Sequence, residues 1–540
     1  MIPYISGKGE SVMLKRVLCV SAAATLVLAL SACVPPDQTP DISGVDFITT
    51  DGAEPQNPLL PADINDVPGA TIVNLIYSGL VYLNEEGEAE YDVAQKITQT
   101  SPTEYDVVLR EDAKFSDGSS VRARDFVDSW NAAVQNNMLS SYFFKPILGF
   151  GEGEPTMRGL KVTGDRTFHI ELAEPTADFV KRLGHSVFFP MHPSAKKGYD
   201  AYGMNPIGNG PYRLARWDKD EKINLIPNAE YVGPRKSRNE GLEFRFYETE
   251  EESYAALQRG ELDLVTDVPI THIHRFEEEL DGRSFNETSA MFSFITIPAN
   301  DPMFRGEAGA LRRRAISMSF DRTRIAHEVL DDTVTPVTCF ATQKYCPEMG
   351  MIPGQEVLVY NPEKARELWA KADAISPWTG PFFLGYNADG GHAEWVDAVT
   401  KQVSETLGIE AYGRAFTTFK KYRQAVTDRQ MRGSFRSSWQ AVYPSEVNFL
   451  EPVFASNSLL NESGFNNPEY DRLLKEANSE LDKKAQEQKL VAAQSILLHD
   501  LPALPLWESN VVGGYDTDIA RPHFSWKGKP FYFELTRDKG

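Results

Sequence analysis

One short segment near the N-terminus constrains how the whole chain folds. Residues Val17 to Leu30 are almost all apolar or small, and Lys15 and Arg16 stand directly before them. A basic stretch, a short apolar run and small residues before a cleavage point form the pattern of a secretory signal peptide. The run is shorter than the about 20 apolar residues that a membrane-spanning helix needs. The sequence therefore predicts that the remainder folds outside the cytoplasm.

The cysteine after this run indicates how the exported chain is held. Leu30-Ser31-Ala32-Cys33 resembles the lipobox of bacterial lipoproteins. The resemblance implies a signal peptide over residues 1–32, cleavage before Cys33 and acylation of its thiol. Residues 33–41 would then be an extended tether, because closely spaced prolines favour polyproline II geometry. An ordinary signal peptide that happens to end near a cysteine is the alternative, and the true start is either Met1 or Met13.

Size and charge restrict the classes of function. About 500 residues exceed what one hydrophobic core usually supports, so we expect two or three lobes. The formal net charge is −22, and removal of the basic leader would make it more negative. Such a chain would repel a polyphosphate rather than attract it. We therefore expect no nucleic-acid partner.

Two of the four cysteines remain for the folded part. Cys19 lies in the leader and Cys33 is the predicted anchor, which leaves Cys339 and Cys346. Two cysteines this close together outside the cytoplasm favour a local disulfide. A zinc site would need two more ligands, and the segment between them has no histidine. The sequence predicts one disulfide and neither a metal nor a cofactor.

Strand and helix patterns alternate along the chain, which indicates an α/β or α+β protein. Residues 103–111 alternate polar with apolar and predict a strand, whereas residues 123–134 place their apolar side chains on one helical face. A helix is expected to end at Gly260. Asn467 is expected to cap a further helix that begins at Pro468.

Catalytic signatures are missing from the sequence. There is no G-x-S-x-G motif, and the "HEVLD" at His327 lacks the second histidine of a zinc protease motif. His272 and His274 are more typical of a polar surface patch than of a metal pair. We do not expect an enzyme, and an extracellular hydrolase of cell-wall or peptide material is the weaker alternative.

Six long motifs follow one another along the chain. They are YDVVLREDAKFSDGSSVRARDFVDSW (105–130), NPIGNGPYRLARWDKDEKINLIPNAEYVG (205–233), ALQRGELDLV (256–265), LRRRAISMSFDRTRIAHEVL (311–330), FNNPEYDRLLKEA (465–477) and LLHDLPALPLW (497–507). Together they closely resemble the family 5 extracellular solute-binding proteins, the oligopeptide-, dipeptide- and nickel-binding components of ABC importers. The resemblance covers the chain from about Val45 to its C-terminus.

The resemblance implies the architecture. It is that of an α/β, periplasmic-binding-protein-like fold (type II, cluster C), with two lobes, a hinge and an extra inserted domain. Lobe I would combine residues 42–75, 205–297 and 508–540. The inserted domain would span 76–204, and lobe II would span 298–507. A ligand would be buried when the lobes close.

The resemblance also implies a role. The protein would be a monomer, lipid-anchored to the outer face of the bacterial cytoplasmic membrane. It would capture oligopeptides or peptide-like solutes and deliver them to a permease with its ATPase subunits. Anchoring at Cys33 would raise its effective concentration beside that partner.

Site residues are carried over position by position. Arg436 matches a position where an arginine can meet a ligand carboxylate, which a planar guanidinium does well. Trp439 and Tyr443 match pocket residues, and Tyr142 lies where the family supplies a tyrosine. The loop from Asp66 through Val67 to Thr71 would offer backbone for strand-like pairing. The alternatives are a structural salt bridge for Arg436 and core packing for Trp439 and Tyr142.

One position departs from the pattern of the peptide binders. They commonly carry Ala-Asp-Tyr, in which the Asp pairs with the ligand ammonium, but this chain has Val442 in place of the Asp. A buried ammonium without a counter-charge would cost several kcal/mol. Three alternatives follow. Another acid (Glu446, Asp66 or Glu451) takes the place of the missing Asp carboxylate, or the peptide lacks a free amine, or the solute is a sugar, haem or metal chelate.

Overall fold

The computed structural model describes residues 40–538, and one long mixed sheet organises the fold. The predicted signal peptide, Cys33 and nearly all of the tether lie outside the described residues. The strands are β1 (Ile48–Gly52), β2 (Val81–Leu83), β3 (Ala89–Tyr91), β4 (Ala94–Ser101), β5 (Glu104–Leu109), β6 (Leu160–Gly164), β7 (Thr167–Glu171), β8 (Tyr212–Asp218), β9 (Lys222–Pro227), β10 (Leu242–Phe246), β11 (Leu264–Val265), β12 (Ser284–Thr296), β13 (Val334–Pro336), β14 (Phe382–Asn387), β15 (Ala411–Phe416), β16 (Ser434–Gln440) and β17 (Ala503–Tyr515).

Helices cover the sheet and form the connections between strands. They are α1 (Val67–Ile76), α2 (Ala123–Gln135), α3 (Phe179–Arg182), α4 (Tyr199–Met204), α5 (Glu250–Gln258), α6 (Phe276–Glu279), α7 (Gly306–Met318), α8 (Arg322–Glu328), α9 (Pro362–Ile375), α10 (Ala393–Leu407), α11 (Phe419–Thr427), α12 (Val447–Phe454), α13 (Pro468–Ser479) and α14 (Lys483–Asp500). None of these helices combines the length and the apolar character that crossing a membrane requires.

Two long strands hold the main sheet together. Its order is β15-β14-β16-β12-β17-β11-β1-β10-β9-β8, and β13 pairs with β17 outside this path. Strands β12 and β17 pair antiparallel over their length, from Ser284 opposite Gly514 to Thr296 opposite Ala503. At one end β17 pairs with β11, and farther along β12 pairs with β16. The two strands therefore connect both ends of the molecule.

Two large hydrophobic cores lie on either side of this connection. The first core gathers buried residues between Ile48 and Phe285 together with residues from Ile519 to Leu535. The second core gathers buried residues between Ala290 and Trp507. Residues from the predicted lobe I and from the predicted inserted domain share the first core. The exact domain boundaries stay a prediction.

Local patterns in the sequence agree with the elements that form. The strand predicted over 103–111 is β5, and the amphipathic helix after it is α2, whose Trp130 is fully buried. Helix α5 ends before Gly260, which has a φ of +69°. The Asn467 side chain accepts hydrogen bonds from two backbone N–H groups in the first turn of α13. These four predictions are confirmed.

The structure joins Cys339 to Cys346 in a disulfide, with their Cα atoms 5.4 Å apart. Cys339 is fully buried in the second core. Between the two cysteines, the N–H of Gln343 donates to the carboxylate of Glu508 at 3.0 Å, and Lys344 donates to the backbone carbonyl of Glu86. The closed loop thus contacts the second core on one side and the β2–β3 turn on the other.

Candidate functional site

Three adjoining cavities follow β16 and the residues after it. The central cavity has a volume of about 690 Å³ and is lined by Tyr142, Trp439 and Tyr443. Trp439 also lines the arginine cavity, of about 210 Å³, which contains Arg436. Val442 lines both the central cavity and the α1 cavity, of about 240 Å³, which lies against helix α1. The shared residues make the three cavities neighbours along one stretch of chain.

Hydrogen bonds to one asparagine fix this stretch after it leaves the sheet. Within β16, Trp439 lies opposite Phe292 of β12. Its indole N–H donates to the backbone carbonyl of Asn448 at 2.7 Å, and the N–H of Val442 donates to Oδ1 of Asn448 at 2.7 Å. Asn448 is buried in the first turn of α12. It therefore holds both the indole and the backbone of the segment that joins the cavities.

Aromatic side chains from both sides line the central cavity. Tyr142 is 60% exposed, and its ring centroid lies 4.6 Å from that of Phe143. Tyr443 is buried, and the guanidinium of Arg182 lies 4.6 Å from its ring centroid. Burial raises the pKa of Tyr443 to about 12, so its hydroxyl keeps its proton at neutral pH. Three predicted site residues, Tyr142, Trp439 and Tyr443, thus meet at one cavity.

The guanidinium of Arg436 is oriented but keeps its charge. Its Nε and Nη2 donate to Oδ1 of Asn387 at 2.9 and 2.5 Å. Its carbon atom Cζ lies 5.3 Å from the ring centroid of Tyr422 and 5.7 Å from that of Phe419. No ion pair of Arg436 is found within residues 40–538, so the structural salt bridge is not the arrangement here. A neutral amide fixes the side chain without neutralising it.

The prediction of strand-like backbone after Asp66 is wrong. Asp66 is the N-cap of α1, and its Oδ1 accepts a hydrogen bond from the N–H of Gly69 at 2.7 Å. An Asp at the N-cap with a Pro in the first turn favours helix formation. The backbone of residues 67–71 is therefore helical and is not available for pairing with an extended ligand. Val67 is 51% exposed and lines the α1 cavity, whereas Asp66 lines none of the three cavities.

The three acids considered as replacements for the missing carboxylate lie in different places. Glu451 lines the central cavity. Glu446 accepts a hydrogen bond from Nε2 of Gln494 at 2.8 Å, and burial raises its pKa to about 7. Asp66 caps α1. Of these three acids, only Glu451 lines a cavity that Val442 also lines.

Two lysines of the C-terminal segment were not identified from the sequence. Lys527 and Lys529 both line the α1 cavity. Their segment follows β17 and reaches the cavity only through the tertiary fold. Its sequence, Ser525 to Pro530, carries no motif that would have indicated a site.

Direct hydrogen bonds join the two halves of the molecule beside the central cavity. Ser445 donates to the carboxylate of Asp178, and Nη2 of Arg182 donates to Oδ1 of Asn478 at 2.8 Å. These bonds join the α3 region to the segments around α12 and α13. The halves of the molecule therefore meet around the cavity.

The residues that a metal could have used have other partners. Asp263, Asp516 and Asp518 cluster together, but Arg537 donates to Asp263 at 2.8 Å and to Asp518 at 2.7 Å. The guanidinium thus supplies the positive charge at that cluster. His272 and His274 pair with Glu279 and Asp331, respectively, at 2.8 and 3.4 Å.

Comparisons with known proteins agree with this architecture. The chain is 26% identical over 474 residues to the periplasmic murein peptide-binding protein MppA of Escherichia coli (strain K12), covering 83% of this chain and 85% of that protein. It is 27% identical over 482 residues to the "Probable deoxycholate-binding periplasmic protein YgiS" of the same organism, again covering 83% and 85%. The solved structure of Haemophilus influenzae OppA in complex with RPPGFSPFR matches with a TM-score of 0.75 and 21% identity, over 92% of this chain and 99% of that one.

The fold expected from the sequence is therefore confirmed as an α/β, periplasmic-binding-protein-like fold with two lobes and a hinge. The family model "Bacterial extracellular solute-binding proteins, family 5 Middle" matches residues 88–461. This chain belongs to the family 5 bacterial extracellular solute-binding proteins.

Proposed function

We propose that this solute-binding protein is the lipid-anchored receptor of an ABC importer, and that its solute is a peptide or a peptide-like compound. It works as a monomer tethered through Cys33 to the outer face of the cytoplasmic membrane. It delivers its solute to a permease with ATPase subunits and performs no catalysis itself.

One observation carries the proposal. The central cavity lies between residues of both cores, is lined by Tyr142, Trp439 and Tyr443, and adjoins two cationic cavities. A cavity of about 690 Å³ lies within the range of specific small-molecule sites. Aromatic walls with charged groups at both ends suit an elongated, polar solute. The relatives named for peptide binding, MppA among them, favour a peptide-like one.

A second candidate is transport of a non-peptide acid. Val442 provides no carboxylate for an ammonium group, and the α1 cavity that it lines contains lysines. YgiS carries the name "Probable deoxycholate-binding periplasmic protein", and it is about as similar to this chain as MppA is. The two candidates share the receptor role and differ in the solute.

Native mass spectrometry of the protein purified from its own host tests the proposal. We expect one small solute per chain, which denaturation releases for identification. Released peptides or amino-acid conjugates support the leading candidate, and another acid supports the second. Turnover of a peptide library by the purified protein alone would contradict the receptor role.

A further inference from the structure

The α1 cavity differs from the rest of the site in its charge. It lies between α1, the residues around His185, Val442 and the C-terminal segment 525–533. Among residues 40–538, those that line it include three basic side chains, apart from the histidine, and no Asp or Glu. The cations are Arg235, Lys527 and Lys529.

Arg235 is already neutralised by its own partner. It donates from Nε and Nη2 to Asp92 at 3.1 and 3.0 Å. It also donates to the backbone carbonyl of Asn74 at 2.8 Å and to the hydroxyl of Ser78 at 2.6 Å. Its charge and its donors are thus used within the protein, and it forms a wall of the cavity.

Lys529 acts on two acids at the C-terminal ends of β1 and β11. Burial, and after it the nearby Asp267, raise the pKa of Asp51 to about 7, and the charge of Lys529 acts in the opposite direction. Burial also raises the pKa of Asp267, and Lys529 again opposes the rise. The charge of Lys529 is therefore partly balanced from within the protein.

Within residues 40–538, the charge of Lys527, unlike that of Lys529, is not balanced by an acid. Within the described part of the chain its ammonium has neither a hydrogen bond nor an ion pair, and its neighbour is the ring of Trp526, whose centroid lies 5.1 Å away. Burial and the nearby Lys529 lower its pKa to about 8, so it is mostly charged at neutral pH. Burial and then Lys527 lower the pKa of His185 to about 3, which keeps that ring neutral. A desolvated ammonium without a counter-ion attracts an anion strongly.

We propose that the α1 cavity binds a carboxylate of the transported solute, with Lys527 as its charged partner. The inference rests on the proposed receptor function and specifies which chemical group enters at this end. A free ammonium at the same place would lie against Lys527 and Lys529, with Val442 offering no charge. The solute therefore enters the α1 cavity with an acidic end.

The test uses the full exported chain and a pool of tri- to pentapeptides in three forms: unmodified, N-acetylated and C-amidated. Dissociation constants come from competition read by native mass spectrometry. For the wild-type chain we expect C-amidation to weaken binding at least tenfold and N-acetylation to change it less than twofold. In Lys527→Met, peptides with a free C-terminal carboxylate and C-amidated peptides should have equal dissociation constants. In Lys527→Arg the difference between them should remain. Lys401→Met, at an exposed lysine far from the cavity in sequence, is the matched control and should behave as wild type.

Two results would overturn the inference. One is tighter or equal binding of the amides by the wild-type chain; the other is the same preference for acids in Lys527→Met as in wild type. If no peptide form binds, the peptide function fails, and the solute released from host-purified protein decides the inference separately. An acidic solute whose retention is lost in Lys527→Met supports it, whereas a neutral or cationic solute, or none, refutes it.

Discussion

A buried ion pair between Asp92 and Arg235 lies against the first core. Asp92 is 1% exposed and accepts hydrogen bonds from Arg235 and from the hydroxyl of Tyr231. Arg235 in turn reaches the carbonyl of Tyr77 at the end of α1. The pair therefore ties the α1 segment to the strand that begins at Ala94 and to the loop after β9.

Removal of the cation from this buried ion pair should destabilise the protein far more than removal of the cation from a surface ion pair. We expect Arg235→Met to lower the free energy of unfolding by about 3–5 kcal/mol, because it leaves the Asp92 carboxylate buried without a cation. Urea unfolding without solute measures the loss. Arg216→Met, which removes the exposed cation of a surface ion pair with Asp218, is the control and should leave stability nearly unchanged. Equal losses in both variants would contradict the expectation.

Glu446 should make stability depend on pH. Burial raises its pKa in the folded chain to about 7, above the ordinary value of 4.5. Between pH 4.5 and 7 the unfolded chain has lost this proton while the folded chain retains it, so the contribution of Glu446 to stability falls as pH rises. Glu446→Gln keeps a carbonyl acceptor for Gln494 and cannot ionise.

We therefore expect Glu446→Gln to be more favourable relative to wild type at pH 8 than at pH 5, by about 2–3 kcal/mol. Urea unfolding at both pH values gives the difference. Glu405→Gln, at an exposed position of α10, serves as the control and should show the same difference from wild type at both pH values. A pH-independent effect of Glu446→Gln would argue against the raised pKa.

At the scale of elements, the disulfide closes a short loop that is fixed at both ends. Cys339 lies in the second core, and the bond to Cys346 closes the segment that carries Lys344 toward Glu86. Closing a loop of this size restricts the unfolded chain more than the folded one. The loop is therefore expected to stabilise the second core and to position its contact with the β2–β3 turn.

The double variant Cys339→Ala, Cys346→Ala should lose about 2–3 kcal/mol of stability. Reduction of the wild-type chain should produce a similar loss, which serves as the control for the substitutions themselves. Alkylation and peptide mapping under non-reducing conditions should find both thiols unavailable in the wild type. Labelling of either thiol in the folded, unreduced chain would disprove the bond.

At the scale of the whole molecule, direct contacts join its two halves around the central cavity. The side chains of Asp178 and Asn478 each accept one hydrogen bond from the facing side, from Ser445 and Arg182, and the backbone carbonyl of Asn478 accepts another from the N–H of Ala177 at 2.8 Å. A nearby ion pair between Lys475 and Glu174, at 2.9 Å, joins side chains that are both well exposed. The hydrogen bonds should therefore contribute more to closure than the ion pair does.

The variant Asp178→Ala, Asn478→Ala should favour the open arrangement. Loss of two hydrogen bonds of about 1 kcal/mol each shifts a closed–open equilibrium roughly thirtyfold. We expect a larger radius of gyration in solution scattering and weaker retention of the solute. Lys475→Met is the matched control from the same interface and should leave both unchanged. A double variant that scatters like the wild type would show that other contacts determine closure.

The sequence alone determined the class of fold and many of its elements. Patterns such as the amphipathic face of α2, the glycine after α5 and the Asn-Pro start of α13 are local, because hydrophobic periodicity and capping act within a few residues. The long motifs pointed to the family. The same local logic, applied fully, would also have predicted a helix after Asp66, since an acidic N-cap with a proline in the first turn favours one.

Only the tertiary structure decided what the site contains. Trp439, Tyr443 and Tyr142 meet at one cavity, while Arg436 lies in a neighbouring one and Asp66 in none. Lys527 and Val442 line the same cavity because β17 carries the chain back across the molecule before the C-terminal segment turns toward α1. The net charge of a cavity depends on residues from distant parts of the chain, and the spacing of residues along the sequence does not show which of them will come together.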